Sequence, residues 1–284
     1  MTECPTAGLT AHRPRGGATR TLRRRVRGTI AAVVLALSSA VIAQVNETVV
    51  DVPTRPGVSE RLLVIAPSEP KASVVLFAGG HGGLQIGPSG SPTWGGGNFL
   101  VRTRQQFAEQ GLAVAIIDAP SDRQSPPFLS GFRQTAEHTA DVKSVIAWMR
   151  TQYKVPVWLV GTSRGTQSVA SVALALGAPD GPDGIVLSST ILVDPKGRPV
   201  PAMAVGGLRV PVLVVHHEQD GCALCSFSEI PALMSKLAPV PRKQLLSFTG
   251  GQSKGDPCEA FSYHGYNGLE RDVVQQIGAW LLAK

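Results

Sequence analysis

The chain is poor in charge, in cysteine and in long apolar runs, and each shortage narrows what it can be. Charged residues make up 17% of the 284 positions against 43% hydrophobic, which excludes a solvated tail or low-complexity array and leaves a chain with a buried core. No internal repeat is present, so a stacked-repeat architecture is excluded as well. No segment reaches the roughly 20 consecutive apolar residues that a membrane-spanning helix needs. The Gly-rich turns lack both the Gly-Lys-Ser/Thr ending of a phosphate cradle and a dinucleotide fingerprint. The length suits one large domain or two small ones.

A formal net charge of +7 suggests a nucleic-acid partner until its location is considered. Residues 1–43 carry seven arginines (Arg13, Arg15, Arg20, Arg23, Arg24, Arg25, Arg27) and one acid, Glu3, while from Gln44 onward 20 basic residues face 19 acidic ones. The folded part is nearly neutral, so no nucleic acid is expected. The basic run leads into the apolar stretch Thr29–Ala43, with small residues Val41 and Ala43 before Gln44. This is the order of a secretory signal: basic n-region, short apolar h-region, cleavage site. The expectation is export with cleavage before Gln44, to the periplasm or the outside, without stable membrane insertion afterwards. An anchor through residues 29–43 is the alternative. Arg23-Arg24-Arg25-Val26 lacks the residues that normally follow a twin arginine.

The remaining sequence alternates β-branched apolar runs with helical stretches, the pattern of an α/β domain with a mostly parallel sheet. Strands are predicted at Thr48–Val52, Arg61–Ala66, Ser73–Phe77, Leu112–Asp118, Val155–Val160, Gly184–Ser188, Val210–His216 and Gln244–Phe248. Helices are predicted at Asn98–Gln110, Thr135–Thr151, Thr166–Leu176 and Leu269–Leu282. Residues 44–284 read as one domain, and Gly87–Gly97 as a long, mobile loop.

Chemistry enters with Gly161-Thr162-Ser163-Arg164-Gly165. It follows the apolar run Val155–Val160 and precedes an Ala/Val-rich helix, the strand–turn–helix context of a nucleophile elbow. A serine hydroxyl is a poor nucleophile alone, so a base and an orienting carboxylate are required. Asp220 stands just past a strand end and is the first choice for the acid, with Asp194 second. His264 lies between the last strand and the last helix and is the candidate base. His216 and His217 sit too close to a strand, His138 is on a helix, and His12 falls in the leader. The turn Ala78-Gly79-Gly80-His81-Gly82-Gly83 after the third strand offers bare amides, and the N–H groups of Gly80 and Arg164 are the expected oxyanion donors.

On these motifs the chain resembles the α/β-hydrolase superfamily over roughly residues 47–283. The matching features are the elbow Gly161–Gly165, Asp220, His264 and the Gly79–Gly83 turn, although Ala78 stands where many members have His. The resemblance implies an eight-stranded, mostly parallel sheet and a serine hydrolase site with no metal and no cofactor. The interval between the strands ending near Ser188 and beginning near Val210 is too short for a cap domain. An open site favours carboxylic esters or related acyl bonds, on small molecules or attached to polymers. A catalytically silent binding protein of the same fold is the alternative function.

Export makes the cysteines disulfide-competent. Cys4 leaves with the leader, so Cys222, Cys225 and Cys258 remain: one bridge and one spare thiol. Cys222–Cys258 would tie the acid loop to the base loop and is the expected pair, with Cys225–Cys258 and Cys222–Cys225 as alternatives. The spacing Cys222-Ala-Leu-Cys225 resembles a redox motif but stands too late in the chain for one.

Overall fold

A computed structural model of the protein describes residues 47–283; the leader read over residues 1–43 lies outside them. Strands β1 (Thr48–Arg55) and β2 (Val58–Ile65) form an antiparallel hairpin. Its turn places Gly57 at φ 73°, a conformation that glycine adopts without a Cβ penalty. β3 (Ala72–Phe77), β4 (Leu112–Ile117), β5 (Val157–Thr162), β6 (Gly184–Ser188), β7 (Val212–His217) and β8 (Lys243–Phe248) complete one eight-stranded sheet. The strand order is β1-β2-β4-β3-β5-β6-β7-β8, parallel from β4 through β8 and antiparallel only where β2 joins β1 and β4.

Every strand predicted from sequence is present, and prolines account for two shifted ends. β5 begins at Val157 rather than Val155, and β7 at Val212 rather than Val210, because Pro156 and Pro211 have no N–H for the ladder. Their carbonyls still accept, from Ser73 N–H at 2.8 Å and from Ile185 N–H at 2.9 Å.

The helix predicted over Asn98–Gln110 is instead two short ones, α1 (Phe99–Arg102) and α2 (Arg104–Glu109). Thr103 breaks it at ψ 4°, its hydroxyl bonding back to Phe99 O at 2.6 Å in competition with the regular ladder. α3 (Ala136–Tyr153) is capped by Thr135, α4 (Gly165–Ala175) follows the elbow, and α6 (Glu270–Leu282) closes the chain. Helix α5 (Ile230–Lys236) was not predicted; seven residues show too little periodicity.

Helices cover both faces. One core joins α3, α4 and α5 to the sheet through Val142, Val145, Val169, Ile230 and Leu233. The other joins α1, α2 and α6 through Leu100, Phe107, Val274 and Ile277. Burial on both faces explains the continuous apolar runs of the central strands. The connection between β6 and β7 contains only two 3₁₀ turns, Val200–Ala202 and Val205–Gly207, and no cap. All parallel strands end on one rim, where an open sheet binds its ligands.

Candidate active site

The residue that the sequence singled out follows directly on β5. Ser163 has φ 53°, a left-handed conformation that costs a non-glycine residue about 1–3 kcal/mol and persists only where its surroundings enforce it. They do so at both ends: Ser163 N–H bonds to Ser188 O of β6 at 3.0 Å, and its carbonyl accepts from Thr166 Oγ1 at 2.6 Å. The flanking glycines are a steric necessity. A Cβ on Gly165 would lie 2.1 Å from Phe77 O, and one on Gly161 would lie 2.6 Å from the Gly165 backbone. Ser163 is therefore held at the N-terminal end of α4, the end of positive potential.

Asp220 and His264 meet from loops 44 residues apart. His264 Nδ1 donates to Asp220 Oδ2 at 2.8 Å, since a carboxylate only accepts, and this bond selects the neutral tautomer in which Nε2 carries the lone pair. His264 Nε2 is buried and has no hydrogen-bond partner among the described residues. The other Asp220 oxygen accepts from Cys222 N–H at 2.9 Å. The backbone of His264 is equally constrained: Ser262 Oγ accepts its N–H at 3.1 Å and Ser189 Oγ donates to its carbonyl at 2.7 Å. Next along, the buried Tyr266 hydroxyl reaches Val215 O of β7 at 2.9 Å.

Ser163 and His264 line the same cavity, of about 480 Å³, with Gly79, Gly80, Trp94, Cys258 and Phe261 among its walls. Its rim carries two exposed aromatics, Trp94 at 37% and Phe261 at 51%, beside the exposed charged residues Lys254, Asp256 and Glu259. Gly79 is in contact with the serine, since a Cβ there would come within 2.9 Å of Ser163 Cβ. The N–H groups of Gly80 and Arg164 give no hydrogen bond to a backbone carbonyl among the described residues.

Two residues that organise this turn had no signal in the sequence. Arg133, in the irregular stretch before α3, is almost fully buried and donates to Ala78 O at 3.0 Å, Gly80 O at 3.2 Å and Ser168 Oγ at 3.0 Å. Burial, then the charge of Arg164, pulls its pKa down to about 9, so it stays protonated at neutral pH. Asp118, just past β4, accepts from the N–H groups of Leu84 (2.7 Å), Ile86 (2.8 Å) and Ala119 (2.7 Å). The loop after the turn, read as mobile, is thus tied at its base, and further on Trp94 N–H bonds to Leu84 O at 3.2 Å. His81 packs between Trp94 and Phe128, with ring centroids at 3.7 and 4.4 Å, and burial lowers its pKa.

None of the alternatives weighed in the sequence reproduces the His264–Asp220 arrangement, although His216 Nε2 comes within 3.6 Å of Asp220 Oδ2. His217 accepts Gln219 N–H on Nδ1 at 3.0 Å and donates from Nε2 to Gly250 O at 2.9 Å, leaving no lone pair. His216 donates to Cys225 O at 2.6 Å. His138 is buried with neither ring nitrogen bonded, and burial, then the charges of Arg133 and Arg55, lowers its pKa to about 3. Asp194, the second choice for the acid, pairs with Arg164 at 2.8 Å.

Cys222 and Cys258 are joined in a disulfide, the expected pairing. Cys225 is a free, buried thiol whose pKa is pushed up by burial and then by Asp220. Ligand atoms of Cys222, Cys225 and His264 lie within 4.8 Å of one another. The Cys222 sulfur is consumed by the bridge and His264 Nδ1 by Asp220, so the trio is not a set of metal ligands.

No protein-family model matches the sequence, and no curated protein does. Among solved structures, dienelactone hydrolase from Anabaena variabilis is 16% identical, covering 84% of this chain and 98% of its own, with a TM-score of 0.58. A serine hydrolase without a lid from Xanthomonas campestris is 15% identical over 84% of this chain and 97% of its own, at TM-score 0.55. An esterase from Pyrococcus furiosus is 12% identical over 84% and 91%, at TM-score 0.60. The chain shares the α/β-hydrolase fold with these structures, one of which is described as lacking a lid, and its own β6–β7 connection holds no cap domain.

Proposed function

We propose that the protein is an exported serine hydrolase that cleaves carboxylic esters through Ser163, His264 and Asp220. The observation that carries this reading is the 2.8 Å His264–Asp220 pair with Nε2 unpartnered in the cavity that Ser163 lines. Ser163 Oγ attacks the ester carbonyl carbon and its proton passes to His264 Nε2. The resulting imidazolium is stabilised by Asp220, and the oxyanion by the N–H groups of Gly80 and Arg164. Collapse breaks the carbon–oxygen bond, and the leaving alcohol takes the proton from His264. Water, deprotonated by the same nitrogen, then attacks the acyl-enzyme, releasing the acid and restoring Ser163.

Ser163→Ala should fold and lose several orders of magnitude in kcat, and His264→Ala should be about as severe, because such residues act as a unit. A fluorophosphonate probe should label wild type at Ser163. Retention of even a tenth of the wild-type rate by Ser163→Ala, or no labelling of folded protein, overturns the assignment. Export rests on the Arg-rich and apolar order of residues 1–43, and the disulfide fits an oxidising compartment. An intact mass beginning near Gln44 supports it, whereas the mass of the full chain in the membrane fraction makes residues 29–43 an anchor.

A further inference from the structure

A second cavity, of about 420 Å³, lies beside the first, and Gly80 lines both. Its wall includes Arg133, Arg164, Lys196 and Arg198, with Asp194 the one acid. That acid is already compensated. Burial raises the Asp194 pKa, but the Arg164 hydrogen bond, the Lys196 amide and the Arg164 charge outweigh it and hold the group below its ordinary value. Arg133, Lys196 and Arg198 have no carboxylate partner among the described residues. Arg133 is 6% exposed and its bonds run to neutral oxygens only, so a buried cation is left facing a cavity without a counter-charge, a costly arrangement unless an anion enters. The cavity is also braced. Gln134 accepts from Arg198 Nε at 2.9 Å, and both Gln134 and Gln167 donate to Arg198 O, at 2.9 and 3.0 Å.

Its position relative to the chemistry identifies which part of an ester it receives. A leaving alcohol must take its proton from His264, so the leaving group occupies the cavity that His264 lines. The basic cavity contains no residue of the 254–264 segment and abuts Gly80 and Arg164, the proposed donors to the carbonyl oxygen. Ser163 lines only the first cavity, and Gly80 is common to both, so an acyl chain that leaves the serine past Gly80 and Arg164 would enter the basic one.

Resting on the serine-esterase reading, we propose that this cavity is the acyl subsite and selects esters whose acyl chain ends in an anion, in the simplest case the half-esters of a dicarboxylic acid. Lys196 and Arg198 are exposed and meet the anion at the mouth, while Arg133 supplies charge from the floor. A charge-assisted hydrogen bond to such a group is worth about tenfold to a hundredfold in affinity, and exposed charges lose effect as salt rises.

The test compares 4-nitrophenyl hemiglutarate with 4-nitrophenyl pentanoate, whose acyl chain has the same length and no charge. The expected result is a kcat/KM ratio of at least about ten in favour of the hemiglutarate, shrinking at high salt. Lys196→Gln and Arg198→Gln should each lower that ratio severalfold, through KM rather than kcat. Turnover of the pentanoate with a ratio near one, or a ratio untouched by both variants, overturns the subsite and leaves the esterase reading standing. If neither ester is hydrolysed, the esterase reading fails, and calorimetry with glutarate decides the site on its own. Saturable binding weakened by Arg198→Gln supports an anion site, and no binding overturns it.

Discussion

Replacing Cys222 and Cys258 together by serine removes a cross-link between the two loops that carry Asp220 and His264. The bridge spans a sequence separation of 36, and a loop of that length gives about 3.8 kcal/mol in the chain-entropy model, an upper figure. At about 2–4 °C per kcal/mol for a domain of this size, the melting temperature should fall by up to about 15 °C. The functional effect has a separate origin. Cys222 N–H holds one Asp220 oxygen at 2.9 Å while the other holds His264, and Cys258 is part of the cavity wall. His264 itself keeps its ties to Ser189 and Ser262, so the base should stay near its place while the acid loosens. Loss of the Cys222 hydrogen bond is worth about 1.5–3 kcal/mol, an upper limit of about tenfold to a hundredfold on kcat. The assay is ester hydrolysis at 20 °C beside a thermal melt, with Cys225→Ser as control, since that thiol lies outside the bridge. An unchanged kcat refutes the view that the bridge positions Asp220. A melting temperature within about 1 °C of wild type shows that the other ties already close the loop.

Gly165→Ala should cost about 3 kcal/mol or more in urea unfolding, because its Cβ would sit 2.1 Å from Phe77 O, whereas Gly177→Ala, with nothing within 4 Å, should change little. Glu60 is fully buried with neither carboxylate oxygen bonded, and burial, then the charges of Asp141 and Asp118, raises its pKa well above 4.5. A raised folded pKa means stability is full below the unfolded value and lost as pH rises, by at most about 1.4 kcal/mol per unit; Glu60→Gln should flatten the fall in melting temperature from pH 5 to pH 8, and an identical slope refutes this. His138 works in the other direction: its pKa is lowered from 6.5 to about 3, so its contribution is full above pH 6.5 and lost as pH falls toward 3. His138→Leu should lessen acid destabilisation in that window, and an unaltered acid limb in a pH–melting series counts against it.

Local patterns in the sequence were enough to read the eight strands, the elbow and the order Ser163, Asp220, His264. Continuous apolar runs arise from burial on two faces, and the Gly161 and Gly165 positions arise from contacts within one turn, so both leave a short-range trace. Features set by distant segments left none. The break at Thr103 comes from a hydroxyl competing with the helix ladder, and α5 is too short to show a period. The cysteines are an intermediate case: three of them allow several pairings, Cys222 with Cys258 is the one expected from the need of the acid and base loops to meet, and the structure has it. The sequence assigns Arg133 no role and places Asp118 only as the last residue of a strand. Tertiary structure makes them the supports of the Ala78–Ile86 turn, because a buried carbonyl or amide must find a partner and the nearest able side chain comes from far along the chain. The same holds for the basic cavity: Arg133, Arg164, Lys196 and Arg198 have unremarkable spacing in a nearly neutral domain, and it is the packing of three separate segments around one space that turns scattered charges into a local positive field.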